Sequence, residues 1–361
     1  MSFLYLTADV IGIQSGGGRV TQEESTALFD LAMKQGEEFI CWGRQELDYP
    51  GEEPWRFDFA AKDRLWAHCW PNQEWPKLCH IYAGTFTRTV ALLKEHDCKI
   101  TYTAAAHNID ISRQEHELLG IPFNYPHLTD PKLWLKYVGG YLAADIIICP
   151  SRHSADCMYN YGCERIEIIP HGVDIPNEVK PLPAGFICGY LGAIGPDKGL
   201  IYLLEAWERL GYRRNNLSDK MGDLLVLGGR DSKSNFVHFL MEKTGVSNVA
   251  TIGWVNHVSD FFNGISLLIQ SSASEGFGIE VLEAMAHGRP VLCSDGAGAA
   301  DVVPDSWRFP ARNSEVLAAK IDQFRKVDLA MMGRVGRDLA KQYEWPIIRK
   351  KYQEVWRELL V

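Results

Sequence analysis

The sequence predicts an α/β protein of two domains, each a parallel sheet flanked by helices, and three observations carry that prediction. Short apolar runs alternate with longer helical patterns from one end of the chain to the other. At 361 residues the chain exceeds what one hydrophobic core usually supports. The alternation breaks once, at residues 171–185 (HGVDIPNEVKPLPAG), which hold three prolines and no apolar period and read as a linker.

The first series opens with a strand over 3–10, the glycine-rich stretch GIQSGGGRV and a helix from Thr21, where Thr21 and Glu24 have capping-box spacing. Gly16, Gly17 and Gly18 then lie where a strand hands over to a helix, a usual ligand position in doubly wound folds. Their spacing is not the dinucleotide fingerprint, and a plain flexible turn fits as well. Strands are expected at 38–42, 78–82 and 100–103, with a helix over 87–96. Residues 44–76, with Trp55, Trp66, Trp70 and Trp75, have no clean period; they read as an excursion shaping an acceptor pocket or as aromatics covering a sheet face. ITYTAAAH closes a strand on His107, at the end where such folds place their chemistry, although a lone histidine is more often structural than catalytic. A helix over 131–144, an apolar strand from Asp145, a helix after Ser151 and a strand over 165–170 complete the series.

The second series runs FICGYLGA (186–193), the loop IGPDKG with Lys198, a helix from Leu200, the strand DLLVLGG followed by Arg230, a helix over 235–243, the strand NVATIGW, a short helix over 258–263 and a strand over 266–270. Residues 272–303, SASEGFGIEVLEAMAHGRPVLCSDGAGAADVV, are the most informative stretch. A polar loop ends in Glu275, and Gly276, Phe277 and Gly278 open an alanine-rich buried helix over 279–287. Glu275 and Glu283 therefore bracket a helix N-terminus, whose unpaired N–H groups and positive dipole suit an anion, while the glycines let it approach the backbone. A negatively charged ligand bearing hydroxyls uses both features; a buried helix followed by a strand at 290–293, as in any α/β protein, is the plainer reading. The tail from Ser314 is helical and amphipathic.

Composition narrows the function classes. Hydrophobic content of 46% and charged content of 23% are those of an ordinary globular protein. Residues 1–178 carry 15 Lys and Arg against 25 Asp and Glu, a net −10, which argues against nucleic acid or anionic lipid as the main partner. Nine scattered cysteines with no CxxC pair read as small core hydrophobes of a reduced compartment rather than a disulfide framework or zinc site. The N-terminal run lacks a basic n-region and a cleavage site, and no apolar stretch approaches the roughly 18 residues of a spanning helix, so a cytoplasmic, soluble protein without a transmembrane segment is expected.

The order LGA…DKG, LLVLGG, NVATIGWV and SSASEGFGIEVLEAMAHGRPVL resembles the nucleotide-sugar half of retaining glycosyltransferases of the GT-B fold, in particular the large family 4. ICPSRHSADCMYNYGCERIEIIPHGVD resembles the end of that family's first domain and its linker, and YEWPIIRKKYQEV its closing helix; the likeness is strong over about residues 140–361 and weak before. It implies two Rossmann-like doubly wound domains facing each other across a cleft: an acceptor-binding domain over 1–170, onto which a helix at about 345–361 packs back, the linker 171–185, and a nucleotide-sugar domain over 186–344.

By the same resemblance, Glu275 holds hydroxyls of the donor sugar and Glu283 the ribose hydroxyls, in keeping with carboxylates as pure acceptors for vicinal hydroxyls. The amides of Phe277, Gly278 and Ile279, with Gly276, face the sugar and diphosphate, and Lys198 supports the leaving diphosphate. His107 lines the reaction centre, Gly17 and Gly18 lie near the diphosphate and acceptor, and the base sits against the backbone from Gly253 to Val255. One position departs from the family, which usually has an arginine where Ala193 stands; Arg230 is the candidate replacement. The implied reaction is transfer of a sugar from a nucleotide diphosphate sugar, UDP-linked in the commonest case, to an acceptor hydroxyl with retention, without further cofactor. No Asp-x-Asp stands at a strand end, so no metal is expected. A nucleotide-sugar epimerase of the same fold and a non-catalytic binding protein are the alternatives.

Overall fold

The computed structural model describes residues 2–8, 11, 16–44, 47, 54–82, 86–125, 130–212, 223–230 and 235–361, with backbone alone at 16, 54–56, 131, 132, 136 and 137. Two compact units form. The first comprises residues 1–106, 124–171 and 345–361, the second residues 107–123 and 172–344.

The first unit is built on six parallel strands, β1 (Ser2–Thr7), β2 (Glu38–Trp42), β3 (Pro76–Tyr82), β4 (Lys99–Thr103), β5 (Ile146–Cys149) and β6 (Ile166–Ile168), ordered β2-β1-β3-β4-β5-β6. Every residue of β1 and β5 is buried, which is why β5 and the middle of β1, Phe3 to Leu6, read as continuous apolar runs. Helices α1 (Gly16–Gln35), α2 (Pro54–Cys69) and α3 (Thr87–Glu95) come before α4 (Ile109–Leu118), which belongs to the second unit; α5 (Pro131–Leu142) and α6 (Arg152–Asn160) follow. Ser151 caps α6 by accepting from the Ser154 amide at 3.0 Å.

The C-terminal helix of the chain, Trp345–Leu360, lies against α1 and is fastened through a buried polar group. Glu24 accepts from Tyr352 at 2.8 Å and Tyr5 at 3.1 Å, with the His80 Nε2 at 3.2 Å. The Trp356 indole donates to Thr101 at 3.0 Å and Gln353 to the Ala27 carbonyl at 2.9 Å.

In the second unit the strands β7 (Ile187–Leu191), β8 (Leu224–Gly228), β9 (Val249–Gly253), β10 (Leu267–Gln270), β11 (Val291–Ser294) and β12 (Arg308–Phe309) are ordered β12-β11-β10-β7-β8-β9, all parallel. The first strand is thus flanked by the second and the fourth, and the crevice between β7 and β10 is the topological switch point where open α/β sheets bind ligands. Helices α7 (Leu200–Arg209), α8 (Phe236–Thr244), α9 (Val258–Asn263), α10 (Ile279–Ala286), α11 (Ser314–Phe324) and α12 (Leu329–Ala340) follow, and the helix Trp345–Leu360 is α13.

Several sequence expectations are corrected. Helix α1 starts at Gly16, not Thr21, so Gly16, Gly17 and Gly18 form its first turn and are not a loop. Thr21 Oγ1 donates within the helix to the Gly18 carbonyl at 2.8 Å, and Glu24 points into the core, so the capping box does not exist. Residues 9, 10 and 12–15 and the Trp55 side chain lie outside the described residues. The aperiodic tryptophan-rich stretch contains α2. β4 ends at Thr103, four residues before His107. Residues 107–123 belong with the second unit, outside the 1–170 domain expected for them. Within the expected linker, residues 172–185 also belong to that unit: the buried Arg289 guanidinium donates to the carbonyls of Lys180 at 3.0 Å and Pro181 at 3.2 Å, and Arg337 donates to that of Pro176.

Candidate functional site

The loops after β7 and β10 meet at the switch point. After β7 the chain makes a short 3₁₀ turn, Pro196–Lys198, that hands over to α7 through Gly199. Gly199 has φ +64, and a Cβ there would run into the carbonyl oxygen of Ser271, so the glycine of DKG is needed twice over. The turn is clamped to the loop after β10: the Asp197 carbonyl accepts from the Ala273 and Ser274 amides at 2.9 and 3.3 Å, and Ser271 Oγ donates to the Lys198 carbonyl at 3.2 Å.

The clamp brings the Lys198 ammonium onto the Glu275 carboxylate, with both side chains 22% exposed. Burial works against the charge of Glu275, but Lys198, His107 and the Gly276 N–H outweigh it and hold the carboxyl below its ordinary range. Burial likewise disfavours the Lys198 ammonium, yet Glu275, Asp197 and Glu280 push its pKa up. Both groups are therefore charged at neutral pH.

Glu275 is fixed from the other side by the loop after β11, since its N–H donates to the Gly296 carbonyl at 2.9 Å and its carbonyl accepts from Gly298 at 3.0 Å. Gly278 stands at the N-cap of α10 with φ +95, and a Cβ there would come within 2.8 Å of Gln270 Nε2. Phe277 is 2% exposed, its ring sunk in the core, so only its backbone is available to a ligand. Ile279 is half-buried against the same core. Glu283 is buried further along α10.

His107 reaches this site through α4. Asn108, which caps α4 by accepting from the Asp110 and Ile111 amides at 3.0 and 3.1 Å, donates its own N–H to Ser274 Oγ at 2.7 Å, one residue before Glu275. The helix is held by Glu115, which accepts from the Tyr202 hydroxyl at 3.0 Å and pairs with Arg312 Nε at 2.7 Å. His107 itself is exposed and favours the charge on Glu275.

At the tips of β7 and β8, Ile194 N–H donates to the Arg230 carbonyl at 2.9 Å, so Arg230 is paired next to Ala193 and both residues are exposed. Val255, just past β9, is half-buried and lies against Gly228, where a Cβ would meet its Cγ2 at 3.1 Å. Gly17 and Gly18 belong to the first unit.

The sequence reading missed Glu280. It opens the first turn of α10, and its carboxylate accepts from Gln270 Nε2 and from its own N–H. Burial first, then the charge of Glu275, pushes it up to about 8, so it carries a proton at pH 7. The signal was present: Glu280 and Glu283, three apart on a helix, share a face. Among the described residues no group of three or more His, Cys, Asp and Glu side chains is placed to hold a metal ion, and no helix is long and apolar enough to cross a membrane.

Residues 185–326 match the family described as glycosyl transferases group 1. Over 99% of both chains, the fold superposes on sucrose-phosphate synthase from Thermosynechococcus elongatus, at TM-score 0.75 and 16% identity. The fold is GT-B, and its residues 185–326 are similar to glycosyl transferases group 1. A structure of Anabaena HepE solved in complex with UDP-glucose is similar at TM-score 0.67 and 16% identity, covering 99% of this chain and all of that one. In sequence, an uncharacterized glycosyltransferase of Methanocaldococcus jannaschii is 26% identical over 228 residues, 59% of this chain and 60% of its own length. A D-inositol 3-phosphate glycosyltransferase of Gordonia bronchialis is 26% identical over 211 residues, 52% of this chain and 46% of its own. The chain thus spans about half of the curated relatives it matches, and the matched residues 185–326 contain Lys198, Glu275, Glu280 and Glu283.

Proposed function

We propose that the chain is a retaining glycosyltransferase that moves a sugar from a nucleotide diphosphate sugar, UDP-linked by preference, to an acceptor hydroxyl. The observation that carries this reading is the Lys198–Glu275 pair at the β7/β10 switch point, at the N-terminus of α10, inside the matched residues 185–326. An ammonium and a helix end offer positive potential to a diphosphate, and Glu275 and Glu283 are acceptors for sugar and ribose hydroxyls. The UDP-glucose in the HepE structure, a protein of the same fold, supports the choice of a uridine donor.

As the glycosidic C–O bond to the diphosphate breaks, negative charge builds on the leaving phosphate; Lys198 and the α10 dipole stabilise it. The departing phosphate takes the proton of the acceptor hydroxyl as that oxygen bonds to the anomeric carbon on the same face, so no side-chain base is needed. His107, electrostatically coupled to Glu275, orients the sugar and helps stabilise charge on the ring. In this reading the transfer needs no metal, and activity persists in EDTA.

A thermal-shift screen against UDP-, GDP- and ADP-sugars tests the donor class, since a ligand that binds only the folded protein raises its melting temperature. A panel without any shift sinks the reading. With the donor in hand, Lys198→Ala is expected to abolish turnover and Arg230→Ala to lower it about 100-fold, as loss of one oxyanion-type donor does. Unchanged turnover in Arg230→Ala would remove Arg230 as the stand-in for the missing arginine, and an isomerised donor formed without acceptor would mark an epimerase instead.

A further inference from the structure

Three glutamates, Glu275, Glu280 and Glu283, interact at the start of α10, where Lys198 is the ammonium set among them. Lys198 pairs with Glu275, not Glu280. Glu280 has instead the Gln270 amide and its own N–H. Its Oε1 lies 3.6 Å from where a Cβ on Gly192 would stand, beside Ala193, and 3.7 Å from the corresponding point on Gly278. It thus sits between the tip of β7 and the N-terminus of α10, the two elements against which a diphosphate would rest. An ionised carboxylate there repels a phosphate; a neutral one offers it an O–H donor.

We infer that Glu280 grips the donor diphosphate as an uncharged carboxylic acid, supplying a hydrogen-bond donor beside Ala193, so that donor binding at alkaline pH takes up a proton. The inference rests on the donor-site reading above. Its proton balance is simple: above the pKa of Glu280 the free protein holds a carboxylate, and forming the complex draws one proton from solvent onto it. The other groups facing it do not share that role. Glu275 is held ionised by Lys198, whose own pKa is raised; Tyr190 and Cys293 are kept neutral by burial; and Asp197, Glu283 and the His107 ring are common to the wild type and to a Glu280 variant.

The test is calorimetric titration of the full chain with UDP at pH 6.5 and 8.5, each in two buffers of unlike ionisation heat. With the carboxyl at about 8, the wild type is expected to take up about three-quarters of a proton per UDP at pH 8.5 beyond that of Glu280→Gln, and to lose about fourfold in affinity between the two pH values, while the variant stays nearly flat. At pH 6.5 the two proteins should release or take up equal numbers of protons. Equal counts at pH 8.5 overturn the inference and leave the donor reading standing. If the variant does not fold, the wild type decides alone: binding without proton uptake at pH 8.5 overturns it. If UDP, GDP and ADP all fail to bind the wild type at pH 6.5, the donor reading falls and takes the inference with it.

Discussion

Glu280 keeps in the fold a proton that the unfolded chain gives up, because burial and the neighbouring Glu275 charge raise its pKa from 4.5 to about 8. Between those values the folded protein binds more protons than the unfolded one, so this group lowers stability as pH rises. The melting temperature of Glu280→Gln minus that of the wild type is therefore expected to grow from pH 5 to pH 8; a constant difference in parallel melts would sink the assignment. Lys198 works in the opposite sense on Glu275. The depressed carboxyl contributes stability above its unfolded pKa and loses it as pH falls through the folded one. Lys198→Ala should cost about 1–3 kcal/mol in urea unfolding at pH 7, with part recovered in the double variant with Glu275→Gln, because the lone carboxylate is then gone. The ends of the motif, Glu275 and Glu283, and the lysine were legible in the sequence because their spacing is characteristic. Glu280 was passed over despite sharing a helix face with Glu283, because a helix-period pattern treats a glutamate in the first turn as a favourable helix start.

Helix α4 could not be read from an apolar period because its buried residues are Ser112, Glu115 and His116: it docks by polar contacts, and IDISRQEHEL has no hydrophobic stripe. The start of α1 escaped because three glycines make its first turn, and α2 because its apolar residues sit among charges and aromatics. By contrast, β7, β10, β11 and α10 were plain, being continuous apolar or alanine-rich runs in the core. The turn between β7 and α7 has the least freedom. Gly199→Ala should destabilise by about 3 kcal/mol or more, from the positive φ and the clash with Ser271, whereas Gly245→Ala, with φ +66 and open space around it, should cost about 1 kcal/mol. Similar losses in denaturant melts would contradict the clamp. At α13, Tyr352→Phe removes a donor to the buried Glu24 and should cost about 1–3 kcal/mol, read as a lower urea midpoint at unchanged slope.

At the scale of the whole molecule, all nine cysteines are free and eight are buried, with the thiols of Cys79, Cys98, Cys149 and Cys188 pushed up by burial. A thiol reagent at pH 8 should therefore titrate no more than one group rapidly, at Cys41, and all nine in denaturant. Rapid reaction of several thiols in the native protein would show that the units open. The two-domain plan was legible because parallel α/β units announce themselves by alternation, but the excursion of residues 107–123 was not, since nothing in their composition says which unit they join.

That short segment changes how the protein can be recombined. The chain crosses between its units four times, near residues 106, 123, 171 and 344, so no single cut yields either one whole. A chimaera that swaps residues 186–344 for those of a relative would discard Ser274, Tyr202 and Arg312 while retaining their partners Asn108 and Glu115. The second unit is then transplantable only as two pieces, the long one and the seventeen residues that begin at His107.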